Sequence, residues 1–504
     1  MSTQSPKKTP DAYEQLVSEV EQITAVESAS GVLSWDQQVM MPAGGTPARS
    51  KQLSTLSSLS HELLVDGEVG DLLDELDDAD LTDDQAAVVR EVRRRYERAE
   101  RVPTALVAEI SETTSEALNA WESAKADDDF ETFAPYLETL VELKREYAEH
   151  IDPDADPYAV LFADYEPWLP LDQAEDILTE LRETLVPLIE DIRASDASLA
   201  TNAFSGRFPE ETQEALSRDV LSTLGYDWDH GRLDTSSHPF TSGNQFDARV
   251  TTRFDESDPL GALTATIHEF GHAWYNLGLS KDDFGTPLGT SRDLSVHESQ
   301  SRLWENHVGR SKPFWEHVLP TVKDHFDGID DLTAQEAYEA ANQVYEDNFI
   351  RVEADELTYH MHIIVRFEIE RELISGELDV ADVPDRWNDL YEEYLGIRPE
   401  TDSVGCLQDI HWSHGSFGYF PTYSLGSVMA AQLFAAAEDD VGSLDDRIRA
   451  GEFDDLTGWL RENVHQHGQR YKTNDLVVQA TGEDFSASYF LQYVTEKYDE
   501  LYDL

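Results

Sequence analysis

The chain has one cysteine, Cys406, so no disulfide can close within it and a reducing, cytoplasmic compartment is expected. Lysine is scarce even beside arginine, and the two together number 37 against 103 Asp and Glu, a formal charge of −66. Phosphate binding needs a basic face, which excludes nucleic acid as a partner. No stretch has the length and apolarity of a membrane span, and the opening MSTQSPKKTPDAYEQL lacks a signal-peptide core, so no membrane association is expected. Repeats and low-complexity linkers are missing too, and residues 1–504 are read as one domain without a separable module. What remains is a packable chain: 40% of it is hydrophobic, with 20 Phe, 20 Tyr and 10 Trp, which argues against acidic disorder. The carboxylates then form a solvated shell that repels itself in dilute salt and is screened in concentrated salt, as in a halophilic protein.

Helical periodicity dominates. Residues 12–28, 84–100, 104–124, 130–149, 172–194, 333–376, 424–437 and 484–501 carry apolar positions three and four apart. The acidic patches at 77–84 and 127–129 read as exposed connections between helices. HPFTSGNQFDARVTTRF at 238–254 is the exception. Ala248, Val250, Thr252 and Phe254 alternate with polar residues as in a half-buried strand, which could align a peptide by edge pairing or simply cover the core.

The strand runs toward HEFGH at 268–272. Asp258 is a plausible N-cap, Pro259 suits the first helical position, and Leu263, Ile267, Phe270, Trp274 and Leu277 keep helical spacing up to Gly278. On that helix His268 and His272 lie one turn apart on one face, where both rings can reach a zinc ion while Glu269 points alongside. The alternative is a core helix with two hydrogen-bonded histidines. HESQ follows at 297–300, on a second expected helix, and would bring Glu298 to the metal as third ligand. Ser295 to Glu298 also matches a capping box, in which Glu298 would only satisfy a backbone amide. The metal site is thus placed on helices around 259–277 and 295–309.

Further motifs run along the chain: LSWDQQVMMPAGG at 33–45, HPF at 238–240, DARVT at 247–251, IRVEAD at 350–355, GCLQDIHW at 405–412 and GYFPTYSLG at 418–426. Together with HEFGH and HESQ they resemble the carboxypeptidase Taq family of metallocarboxypeptidases, nearly end to end. The resemblance implies a mainly helical, single large body of the neurolysin-like zincin type, with a deep substrate groove and a small β-sheet near the zinc helix. It also implies a homodimer that removes single C-terminal residues from peptides, with broad preference. Cobalt would suit the same ligands as zinc.

Carried over residue by residue, the resemblance makes His268, His272 and Glu298 the ligands and Glu269 the general base. An oxyanion donor is expected from His411 or Tyr423, with Tyr419 able to replace Tyr423 and His411 able instead to orient a ligand. A carboxypeptidase also needs a fixed cation for the terminal carboxylate, and Arg249 and Arg351 occupy the matched positions. His238 and Asp247 complete the substrate-binding set. Internal ion pairs are the competing reading, Arg249 with Asp247 and Arg351 with Asp355. His360, His362, His465 and His467 lack metal spacing and are read as surface or core histidines. His414 stays open.

Overall fold

The computed structural model describes residues 10–65, 67–347 and 349–504. Secondary structure in these residues is overwhelmingly helical. The Leu171–Ala194 helix shows why: Ala174, Ile177, Leu178, Leu181, Leu185, Leu188, Ile189 and Ile192 fall three or four apart and are all buried. Seven of the eight expected segments lie on single helices within a few residues, among them Asp11–Val39, Asp83–Arg101 and Pro421–Val441.

The expected run 333–376 is instead two helices, Ala334–Ala341 and Thr358–Ser375. Side-chain chemistry overrides periodicity here. The first helix stops where the Asn342 amide donates to the Arg310 and Tyr338 carbonyls, each at 2.8 Å. The second starts where the Asp355 carboxylate accepts from the Leu357 and Thr358 amides at 3.0 and 2.9 Å. Asp355 is therefore a helix cap. Arg351 takes its carboxylate from elsewhere.

Three strands form one small sheet, β1 Gly231–Thr235, β2 Thr241–Asn244 and β3 Asp247–Thr252, in the order β1-β3-β2. β1 is parallel to β3 and β2 antiparallel to it. The expected alternation holds for Ala248, Val250 and Thr252, which are buried, while Phe254 lies past the strand. GRLDT has too little apolar alternation to announce β1. Its anchor is Tyr226, whose hydroxyl accepts from the Arg232 amide at 3.0 Å and donates to the Ala248 carbonyl at 2.6 Å.

A main apolar core gathers helices from Ala117 to Tyr502 and includes Ile267, Phe270 and Ala273 of the HEFGH helix. A second core joins the first four helices, through Leu16, Ile23, Val88 and Val92, to Leu288. β2, an edge strand, lies beside the HEFGH helix, where Thr241 reaches Glu269. Phe270 is fully buried against Tyr226, Trp274 and Trp304. Phe270→Ala should cost about 3–5 kcal/mol of unfolding free energy, read as a lower denaturant midpoint.

Candidate metal centre

Asp258 caps the HEFGH helix as expected, its carboxylate accepting from the Gly261 amide at 2.9 Å, with Pro259 in the first turn of Pro259–Gly278. The second helix, Leu294–Arg302, continues in wider π turns to Gly309. The two pack at backbone contact: a Cβ on Gly271 would strike the Gln300 carbonyl and the Ser301 Cα. From the other side Gly426, on Pro421–Val441, leaves room only for the Glu298 side chain. Glu298 is thereby pressed toward the two histidines.

The capping-box alternative for Glu298 fails for a specific reason. The Ser295 amide and hydroxyl both go to the buried carboxylate of Glu166, so Ser295 is unavailable to pair with Glu298. Glu298 Oε2 lies 3.4 Å from His272 Nε2 and 3.8 Å from His268 Nε2, and the three ligand atoms sit within 4.8 Å of one another. Ligands at zinc distances in a tetrahedron stand about 3.3 Å apart, so this donor set fits a divalent metal with little movement.

Tautomers fit as well. His268 Nδ1 donates to Glu305 at 2.8 Å, and His272 Nδ1 to the His297 carbonyl at 3.1 Å, with His297 Nδ1 also 2.7 Å away. Burial and the neighbouring His272 push the His297 pKa down to about 3, which keeps its ring neutral and able to accept. Both Nε2 lone pairs are left for a metal. Burial would raise the Glu298 carboxyl, but Arg302, donating at 2.7 Å, and His268 hold it well below the ordinary range. Glu305 is held down in the same way against burial, by Arg302, His268 and Arg310. Glu269, nearly buried, accepts from the Thr241 hydroxyl at 2.7 Å.

The remaining expected residues divide. His411, Tyr419 and Tyr423 form one aromatic cluster, with His411 and Tyr423 rings 5.3 Å from Tyr419. Tyr423 is one turn before Gly426 on the helix that presses Glu298, and the Glu298 charge helps raise its pKa after burial. Burial takes His411 down to about 4 despite Asp409, so its ring is neutral. Arg351 donates to Asp409 at 2.8 Å and to the Tyr359 hydroxyl at 3.2 Å, and its guanidinium faces the Tyr423 ring at 5.3 Å. Asp409 thus replaces the expected Asp355. Arg249 does pair with Asp247, at 2.6 Å, and lies over the Trp35 ring at 4.3 Å. His238 is exposed, and its carbonyl accepts from Ser236 at 2.6 Å. His360, His362 and His465 are buried and hydrogen-bonded to Ser424, Tyr391 and Gln300, the core reading of those histidines. His467 is half-buried, and His414 is exposed.

Sequence reasoning missed Glu305, Asp409 and Thr241. Glu305 repeats Glu298 after seven residues, two helical turns on, which is a usable signal. Asp409 stood inside GCLQDIHW without a role.

Two histidines and a carboxylate converging beside a buried glutamate define a metal-dependent hydrolase centre. A family model described as carboxypeptidase Taq (M32) metallopeptidase matches residues 15–498, and the chain belongs to that family. It is a metallocarboxypeptidase. It is 40% identical to thermostable carboxypeptidase 1 of Thermus thermophilus, over 98% of this chain and 100% of that one. Carboxypeptidase 1 of Bacillus subtilis is 38% identical over 96% and 97% of the two chains. The crystal structure of M32 carboxypeptidase from Deinococcus radiodurans R1 superposes with a TM-score of 0.95 at 38% identity, covering 98% of this chain and 100% of that one.

Glu305→Gln removes the charge that orients His268. Metal affinity should fall about 10–100-fold, measured by titrating the folded apoprotein, and the melting temperature without metal should fall as well, because Arg302 and Arg310 lose a buried anionic partner.

Proposed function

We propose that the metal is zinc, held by His268, His272 and Glu298, and that Glu269 is the general base of a broadly specific C-terminal trimming reaction. The observation that carries it is the convergence of both Nε2 atoms on Glu298 with Glu269 on the same helix. Bound zinc would supply Lewis-acid polarisation of the scissile carbonyl and of the attacking water. Thr241 holds one Glu269 oxygen, which aims the other at that water; Glu269 takes its proton and delivers it to the leaving amine. Tyr423, Tyr419 or His411 donates to the developing oxyanion, and the neutral ring of His411 suits a donor as well as either phenol.

Arg249 or Arg351 fixes the terminal carboxylate. Arg249 has 21% of its side chain exposed against 8% for Arg351, so more of its donors remain available. Asp247 orients Arg249 on the central strand, and exposed His238 lies in the connection that leads into the edge strand β2. Residues 1–504 act as one catalytic unit, which we read as a cytoplasmic homodimer suited to high salt. The charge of −66 and the single buried cysteine support the setting, and among the described residues no helix is long and apolar enough to cross a membrane.

Zinc-loaded protein in molar KCl should shorten an N-blocked peptide one residue at a time from a free C-terminus and leave its amide intact by mass spectrometry; internal cleavage of both would overturn the terminal-carboxylate role. Glu269→Gln should lower kcat about 10²–10⁴-fold with zinc still bound at one ion per chain by elemental analysis. Replacing Arg249 or Arg351 by Ala should raise KM for the free peptide, and rates equal to wild type in both variants would discard the pair.

A further inference from the structure

A cavity of about 540 Å³ is lined by four arginines, Arg94, Arg95, Arg98 and Arg292, by the carboxylates of Glu91, Asp164 and Asp293, and by Tyr165 and Leu294. We propose that this cavity is a substrate subsite for an acidic side chain of the peptide on the N-terminal side of the scissile bond. The proposal rests on the placement of the reaction at His268, His272 and Glu298.

Four arginines on one cavity are unusual in a chain whose 37 Lys and Arg are outnumbered by 103 carboxylates. Three of the four are already committed. Arg292 donates to Glu91 at 3.0 Å and to Asp293 at 2.7 Å, Arg98 pairs with Asp164, and Arg95 pairs with Glu27. Arg94 differs: it donates to the Ala163 carbonyl and has no ion-pair partner among the described residues. It is half-buried, and burial and the adjacent Arg98 cation press its pKa below the ordinary arginine value against the opposing pull of Asp164, Asp293 and Glu91, none of which pairs with it directly. A guanidinium carries five donors in a planar fork, so Arg94 keeps several for a carboxylate entering the cavity.

Position gives the cavity its role. The Leu294 amide meets the Tyr165 carbonyl at 3.3 Å, and the Tyr165 ring sits edge-on to Tyr419 at 5.0 Å. Leu294 opens the helix that presents Glu298 one turn later, about 6 Å along its axis. An extended peptide advances about 3.3–3.6 Å per residue, so the cavity lies within a few residues of the cut. A carboxypeptidase keeps a single residue beyond the cut, while a volume of this size suits a whole ligand segment, so the cavity belongs to the residues before it.

The test is a position scan with N-blocked alanine hexapeptides carrying one Glu, or its neutral isostere Gln, at each position before the C-terminal residue, at fixed KCl. At one position kcat/KM should favour Glu over Gln about tenfold, the scale of a charge-assisted hydrogen bond. Arg94→Met should bring that ratio toward one, and Arg94→Lys should keep part of it. A wild-type enzyme with no Glu preference at any position overturns the proposal without need of a variant, as does an unchanged ratio in Arg94→Met. The all-alanine parent reads the metal centre separately: a flat Glu/Gln ratio on an enzyme that still trims it sinks the cavity and leaves the metal centre standing.

Discussion

The contact of two helix backbones at Gly271 is the constraint on which the rest of the site depends. Only hydrogen fits between the HEFGH helix and the Gln300–Ser301 backbone, and that closeness brings the Glu298 carboxylate to within 4 Å of both imidazoles. Gly426 repeats the device on the opposite side. Glu298 is therefore positioned by packing from two directions before any ion arrives, and little conformational freedom remains for a metal to remove. An alanine at Gly271 would strike the facing backbone, and one at Gly426 would strike the Cβ and Cγ of Glu298 itself.

Packing alone would leave an uncompensated buried charge, and electrostatics has to close that deficit. The second helix does so by itself, alternating Glu298, Arg302, Glu305 and Arg310 along one side. Each carboxylate meets a guanidinium, and Glu305 passes the charge on to His268 Nδ1. Desolvation would otherwise protonate both acids, removing the charge that Glu298 offers between the two histidines and Glu305 as an acceptor for His268. The wide turns after Arg302 let Glu305 swing back to His268 without breaking the series.

What the sequence made legible and what it did not separate along physical lines. HEFGH and its cap were readable because their meaning is local: spacing sets the face, and Asp258 with Pro259 sets the start. Glu298 was ambiguous between ligand and cap because both readings are also local, and the arbiter, Glu166, lies 129 residues away from Ser295. Asp409 was invisible as the partner of Arg351 for the same reason, being 58 residues distant. The break after Ala341 hid because periodicity persisted across it. Asn342 and Asp355 were visible there, but only the Arg310 carbonyl, brought in by the fold, makes Asn342 a stop.

The lopsided composition follows from the same interior. A cation placed inside must stay charged when desolvated and must often satisfy two acids at once. Arg302 does both: it binds Glu298 and Glu305 through different nitrogens while its plane stacks on Tyr359 at 4.4 Å. Lysine offers a compact ammonium without that fork. The buried Lys497, bound to Glu356 at 2.6 Å, shows the cost, since burial drags its pKa below the ordinary lysine value. Arginine serves at the surface as well, where exposed Arg207, Arg398 and Arg449 pair with Glu256, Asp389 and Glu316. Reliance on arginine over lysine at the pairs that matter then leaves one distribution of charge, negative toward solvent and balanced pair by pair around Glu298 and Glu305.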